Sequence, residues 1–345
     1  MLPPRLHAAL NSAGQLIDWP TCLASGVTDG ELRALIRRGE LVRVRRGVYT
    51  SGSHRAAVGD GPAWEVLRAR AAGMGIAGRF VFSHDSAAHA LGMPFLAPRH
   101  PFVHVTRPHT VVGSRHETGV KHHGAVYAHH QVVTVQGMRV LDAARTAVDL
   151  ARQHGLRTGL TACDAALRQR VTRAQLRAAV EPMASWRGVR AAREAMELAD
   201  AGAENPAESL ARLAVIETGL GVPCTQFPVR LGQRVAWVDL LLGSHVIEFD
   251  GMVKYRRVGD GGVADRDPGQ VVHDERRRER ALLREGLGVS RLIWSDLAPT
   301  VWHATVARLA AEIGETVAAR GAHTPPHLLE FADSMGSQRL RRLAA

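Results

Sequence analysis

A chain of 345 residues predicts two or three domains rather than one core. Hydrophobic residues make up 46% and aromatics only 5%, so the cores must rest on Leu, Val and Ala, while a net charge of +11 favours a polyanionic partner. No apolar run reaches bilayer length, no basic-then-apolar leader opens the chain, and Cys22, Cys163 and Cys224 are scattered without a C-x-x-C, so a reducing cytoplasmic location is expected.

Of the 44 basic residues, 42 are Arg, as a GC-rich coding bias produces; Lys121 and Lys254 therefore stand out. In the segment 28–49, Thr28 followed by Glu31 is a capping box that predicts a helix start. Leu32, Leu35 and Ile36 form its apolar stripe, Arg33 and Arg37 its polar face, and Gly39 its stop. Two short strands should follow around Arg46-Gly47, with Arg43, Arg45 and Arg46 exposed, and residues 18–25 should form a preceding helix and turn. The layout fits either a winged helix, with its second helix in the major groove and its wing along phosphates, or a basic α+β fragment at a protein interface.

Residues 14–50, above all the string RRGELVRVRRGVYT, resemble the N-terminal domain of the AbiEi family, antitoxins of type IV toxin–antitoxin systems. The resemblance implies a winged helix that binds its own promoter, with DNA and a cognate toxin protein as partners.

Residues 60–200 read as a mixed domain. Helices are expected near 64–72, 85–91, 140–152, 160–169 and 186–199, with another opened by the capping box of Thr172 and Gln175. Strands are expected at 80–82, 102–106 and 132–135. The strings SHDSAAHALGM and LDAARTAVDLAR resemble the middle region of actinobacterial AbiEi-like proteins. His100, His104, His109, His116, His122, His123, His129 and His130 crowd one stretch. Adjacent pairs such as His122-His123 point to opposite faces of a strand and suit a metal poorly; metal ligation and phosphate or loop contacts both stay open.

The last third carries the chemistry. Residues 205–220 form an amphipathic helix, and RVAWVDLLLGSHVIEFDG reads as a hairpin around Gly243-Ser244. Pairing Leu242 with His245 sets Asp239 opposite Glu248, with Asp250 on the same face and Val238, Leu240, Leu242, Ile247 and Phe249 on the core face. Facing carboxylates repel, and acidic residues are poor strand formers. A divalent cation bound by hard oxygens resolves that conflict; a solvated face of Arg-paired acids is the alternative. Lys254 supplies a compact ammonium four residues beyond Asp250.

Asp, hairpin, Glu-x-Asp-Gly and a nearby Lys resemble the PD-(D/E)XK nuclease superfamily, and within it the domains related to very-short-patch-repair endonucleases. The resemblance covers about 204–297. It implies Asp239 and Glu248 as the acids for Mg²⁺ or Mn²⁺, Glu208 as the helix acid, and Glu275, Arg278, Arg291 and Trp294 in the closing helix and strand. Asp250 stands where the family's usual Lys would be, and Lys254 follows downstream. Arg276, Arg277 and Arg280 either track phosphate or line a solvated helix face. Residues 321–345 read as a loosely attached tail ending in a helix.

The architecture expected is a multidomain α/β protein: a winged helix at 1–55, an AbiEi-like mixed α/β domain at 56–203, a PD-(D/E)XK restriction-endonuclease-like domain at 204–320, and the tail. Two functions follow. One is a metal-dependent DNA endonuclease using Asp239, Glu248, Asp250, Lys254 and Glu208. The other is an antitoxin-like autorepressor that retains an inactive nuclease fold.

Overall fold

The computed structural model describes residues 2–99, 101–108, 114–250 and 268–336. The chain is built as two compact units, Met1–Gln153 and His154–Ala345, so the division falls inside the stretch 56–203. Among the described residues no helix is long and apolar enough to cross a membrane.

The first unit opens with α1 (Pro4–Ser12), β1 (Ile17–Asp18), α2 (Trp19–Ala24), α3 (Asp29–Arg37), β2 (Leu41–Arg45) and β3 (Val48–Ser51). The Thr28–Glu31 capping box closes reciprocally at the start of α3, and Gly39, at a φ of +69°, turns the chain after it. The strands order β1-β3-β2, and Leu6, Leu10, Ile17, Leu32, Leu35, Leu41 and Tyr49 bury their side chains between helices and sheet. Both α1 and β1 lie upstream of the elements legible in the sequence.

The unit continues through α4 (Gly52–Val58), α5 (Pro62–Gly73), β4 (Val81–Phe82), α6 (His84–Ala90), β5 (Val103–Arg107), β6 (Ser114–Glu117), β7 (Val120–Gly124), β8 (Val132–Val135), β9 (Met138–Leu141) and α7 (Ala143–His154). Six strands order β6-β7-β5-β4-β9-β8, with β5 parallel to β7 and β4 parallel to β9. The helix expected from 140 starts later. Val140 pairs with both Phe82 and Val133, and Asp142 accepts the Arg145 amide at 2.7 Å, which sets the first turn at Ala143. Here β pairing overrides the helical pattern.

The second unit has α8 (Leu156–Arg168), α9 (Arg173–Val180), α10 (Val189–Leu198), α11 (Pro206–Glu217), β10 (Cys224–Leu231), β11 (Arg234–Leu242), β12 (His245–Phe249), α12 (Pro268–Arg284), β13 (Gly288–Leu292), α13 (Trp302–Arg320) and α14 (Pro326–Ser334). The capping box of Thr172 and Gln175 opens α9 as expected; α10 begins three residues after Trp186, because Gly188 at its N-cap takes a left-handed φ of +80°. The sheet orders β10-β11-β12-β13, antiparallel across the first three strands and parallel between β12 and β13.

Two features tie this unit together. Asp164 and Arg212, both fully buried, form a two-bonded ion pair at 3.1 Å, and Arg212 also donates to the Leu198 carbonyl at 2.6 Å. The loose attachment expected beyond residue 321 is replaced by docking. Leu328 is buried with Phe227, Val229 and Leu287, Arg230 stacks on Phe331 at 4.5 Å, and Ser244 donates to the Gly321 carbonyl at 2.6 Å. Apolar area outweighs the flexibility that Pro325 and Pro326 suggest.

Candidate functional site

Three groups of polar side chains stand out. The first is basic. Arg33 and Arg37 are exposed on α3, and Arg33 pairs with Asp29 at 2.8 Å. Arg43 and Arg46 are exposed on β2 and its turn, while Arg45 is half-buried. An irregular register between Arg43 and Arg45 inserts a residue there, which adds local twist and turns the strand's end. Exposed Arg38 extends the same surface but is bonded to Glu40 at 2.8 Å; the sequence did not single it out.

The second group is acidic. The turn at Gly243-Ser244 gives Leu242–His245, Leu241–Val246 and Leu240–Ile247 as partners, so the next rung brings Asp239 level with Glu248. The face those acids share is largely apolar, since Leu241 and Val246 are buried among Phe227, Leu282 and Leu328. Each acid finds its own donor. Asp239 Oδ2 accepts the Phe249 amide at 2.9 Å, and Glu248 Oε1 accepts from Arg278 at 2.7 Å. The same Arg278 nitrogen bonds the Trp237 carbonyl at 2.7 Å. Arg291 bridges Glu275 and Glu279 at 3.3 Å each.

Glu208 sits in the first turn of α11, where Asn205 caps the helix. Its two carboxylate oxygens accept from the Glu204 amide at 2.7 Å and the Asn205 side chain at 2.5 Å. Burial, and next the negative charge of Asp239, push its carboxyl up to about 7. Asp239 is thus close enough to Glu208 for its charge to be felt there. The Asp250 amide continues the parallel pairing by donating to the Leu292 carbonyl at 2.8 Å. Lys254 lies outside the described residues, as do His100 and His109.

The third group is imidazole. Along β5, Val103 and Val105 enter the apolar cluster of the six-stranded sheet, while His104 and Thr106 face the other way and are equally buried. On β7, which runs parallel, Lys121 registers with His104 and His123 with Thr106. His104 Nδ1 lies 3.0 Å from His123 Nε2, and the His123 ring stacks on His84 with centroids 3.9 Å apart. His84, the first residue of α6, has a φ of +49°, a region a non-glycine residue rarely enters. Its Nδ1 is 2.9 Å from Ser83 Oγ, and that oxygen accepts a hydrogen bond from Thr106 at 2.8 Å. Asp85 stands 3.6 Å from His104 Nε2. Burial, then the neighbouring His123 and His104, hold His84 well below the ordinary imidazole range, so it stays neutral. Among the described residues this is the one group of three His, Cys, Asp or Glu whose ligand atoms all lie within 4.8 Å of one another. His122 points to the opposite face, as strand geometry dictates; His84 comes from a string read in the sequence only for its family likeness.

Residues 15–52 match the family described as transcriptional regulator, AbiEi antitoxin. Over 225 residues the chain is 33% identical to the uncharacterized protein Rv2248 of Mycobacterium tuberculosis strain H37Rv, covering 63% of this chain and 78% of that one. The uncharacterized protein MT2308 of strain CDC 1551 / Oshkosh matches to the same extent. The chain belongs to the family of these mycobacterial proteins and carries an AbiEi antitoxin-type transcriptional regulator domain at residues 15–52.

Proposed function

We propose that the protein is a DNA-binding transcriptional regulator of the antitoxin type, in which α1–α3 and the β1-β3-β2 sheet act as a winged helix. The observation that carries this reading is the coincidence of the family match at 15–52 with the exposed Arg33, Arg37, Arg43 and Arg46. In such a module α3 enters the major groove and the β2–β3 turn lies along the backbone, so these guanidiniums meet phosphates. A cognate toxin protein is the second partner that the antitoxin type implies.

Salt titration tests it. Each phosphate contact removed flattens the slope of log affinity against log salt by roughly 0.9. The triple variant Arg43→Ala, Arg45→Ala, Arg46→Ala should lose two to three such contacts at unchanged thermal stability. Unaltered affinity and slope would reject the wing as the DNA contact.

A second reading concerns the C-terminal unit. The order α11, β10, β11, β12, α12, β13, with Glu208 and Asp239 in electrostatic contact, supports descent from a PD-(D/E)XK nuclease. The donor chemistry fits a divalent cation in kind: hard carboxylate oxygens, with Glu208 lifted by burial and then by the charge of Asp239. Asp239 and Glu248 would hold Mg²⁺ or Mn²⁺, with Glu208 orienting and Lys254 and Asp250 completing the site. The ion would supply positive charge against a phosphate. Glu248 would have to exchange its bond to Arg278 for the ion. Metal-dependent nicking of plasmid DNA, lost in Asp239→Ala, is the outcome this reading requires.

A further inference from the structure

We propose that His84, His104 and His123 form a binding site for a divalent transition-metal ion, Zn²⁺ foremost. A sheet face sealed from water is ordinarily apolar, because buried polar groups must be hydrogen-bonded to be tolerated. Yet His104, Thr106 and His84 are buried, and a family of Val, Ile or Leu at these places would pack at no such cost. The backbone of His84 also carries the strain of a left-handed φ, a cost accepted where the surroundings dictate where a side chain points.

The lone pairs converge. Three ligand nitrogens within 4.8 Å need to close to N···N separations of ~3.4 Å around an ion bound at ~2.0–2.1 Å, which side-chain rotation supplies. The pair His104 Nδ1 and His123 Nε2, at 3.0 Å, has to open slightly instead. Outer partners suit ligation. Asp85 beside His104 Nε2 favours the tautomer with its proton there and its lone pair on Nδ1. Ser83 engages Nδ1 of His84, which leaves Nε2 of that ring as the donor to the ion. The proton now shared between His104 and His123 moves to an outer ring nitrogen, so the site binds as neutral imidazoles.

Ligand type selects the ion. Imidazole nitrogens suit Zn²⁺, Co²⁺, Ni²⁺ and Cu²⁺, whereas Mg²⁺ and Ca²⁺ take oxygen. Three protein ligands leave a fourth position for water or an exogenous donor, and His123, the least buried of the three, marks the approach to it.

The test uses the full-length protein stripped with chelator and dialysed. Competition against a chromophoric chelator should show one tightly held Zn²⁺ per chain, and Co²⁺ loading should give the intense visible absorption of four-coordinate cobalt. The variant His123→Gln, which keeps a polar side chain at a half-buried place, should weaken Zn²⁺ binding at least tenfold and abolish the cobalt band. The variant His129→Gln with His130→Gln, exposed and outside the cluster, should do neither. Binding below one equivalent, equal affinity in His123→Gln, or a weak octahedral cobalt spectrum in the wild type would each overturn the site. The wild-type spectrum decides even if His123→Gln fails to fold.

Discussion

The first unit's histidines and the second unit's carboxylates occupy similar ground, ionisable side chains on neighbouring strands beside the first turn of a helix. They solve crowding in opposite ways. His84, His104 and His123 crowd together, with His123 stacked on both other rings, and burial first of all holds His84 neutral so that it adds no charge to the group. Asp239, Glu248 and Glu208 cannot do so. Each is drawn to a separate donor: the Phe249 amide, Arg278, and the Glu204 amide with Asn205. The difference teaches that convergence of lone pairs is cheap for neutral ligands and must be enforced for anionic ones. To receive an ion the first arrangement gives up one hydrogen bond, between His104 and His123, while the second has to trade a bond at each acid.

The largest expected effect comes from protonating Glu208 by acid. Glu208 titrates near 7 in the fold against 4.5 ordinarily, chiefly through burial and then through Asp239. A carboxyl raised in the folded state favours folding while both states are protonated. Stability is thus greatest below about pH 4.5 from this group and declines as pH rises to about 7, by up to roughly 3 kcal/mol. Glu208→Gln should flatten that decline in urea melts taken across the window. The variant also loses one of two accepted hydrogen bonds, so the slope and not the absolute stability is the readout. An unchanged slope would mean that Glu208 is not the buried acid described.

Next in size is the Glu248–Arg278 pair. Arg278 holds both Glu248 and the Trp237 carbonyl, and its side chain is 39% exposed against 15% for Glu248. Removing it leaves a mostly buried carboxylate with solvent on one side only. Arg278→Ala should cost about 1–2 kcal/mol, discounted for that exposure. If Mg²⁺ or Mn²⁺ binds at Glu248, this variant should gain more from the metal than wild type does, since the ion no longer competes with a guanidinium. A variant as stable as wild type would show that Glu248 is anchored elsewhere.

What could be read from sequence was local. Thr28 with Glu31, Thr172 with Gln175, Gly39 after α3 and the Gly243-Ser244 turn each place their elements within a few residues of themselves, and the hairpin register follows from the turn by counting. The proximity of Glu208 to Asp239 could not be read from spacing, since a helix and a hairpin are joined by packing that no spacing encodes. The histidine site was not legible. It needs the parallel pairing of β5 with β7 and the positive φ of His84, and strand patterning alone correctly separates His122 from His123 without finding their partners. Val140 shows the same limit, because its helical neighbours are outweighed by Phe82 and Val133 in the sheet. So does Leu328, where a core position looks in sequence like part of a proline-led tail.

The smallest effect is the most discriminating. Asp239→Asn keeps an oxygen able to accept the Phe249 amide, so the backbone bond survives and only the charge is lost. Without metal, losing one like-charge neighbour should raise stability by about 0.2–1 kcal/mol at neutral pH. It should also bring the Glu208 titration down toward the ordinary carboxyl range, because Asp239 is its largest charged perturber. With millimolar Mg²⁺ or Mn²⁺ the order should reverse. Wild type gains stability by mass action if the ion binds only the folded state, and the variant, short of a ligand, gains none. Four thermal melts, each protein with and without Mn²⁺, separate the two accounts of the acidic hairpin. A wild type indifferent to the ion, together with a variant that melts lower, would leave Asp239 as a structural acceptor for Phe249 and remove the physical ground for a nuclease site. A metal-dependent rise confined to wild type would show that the acids, though each already bonded, still give up those bonds for a cation.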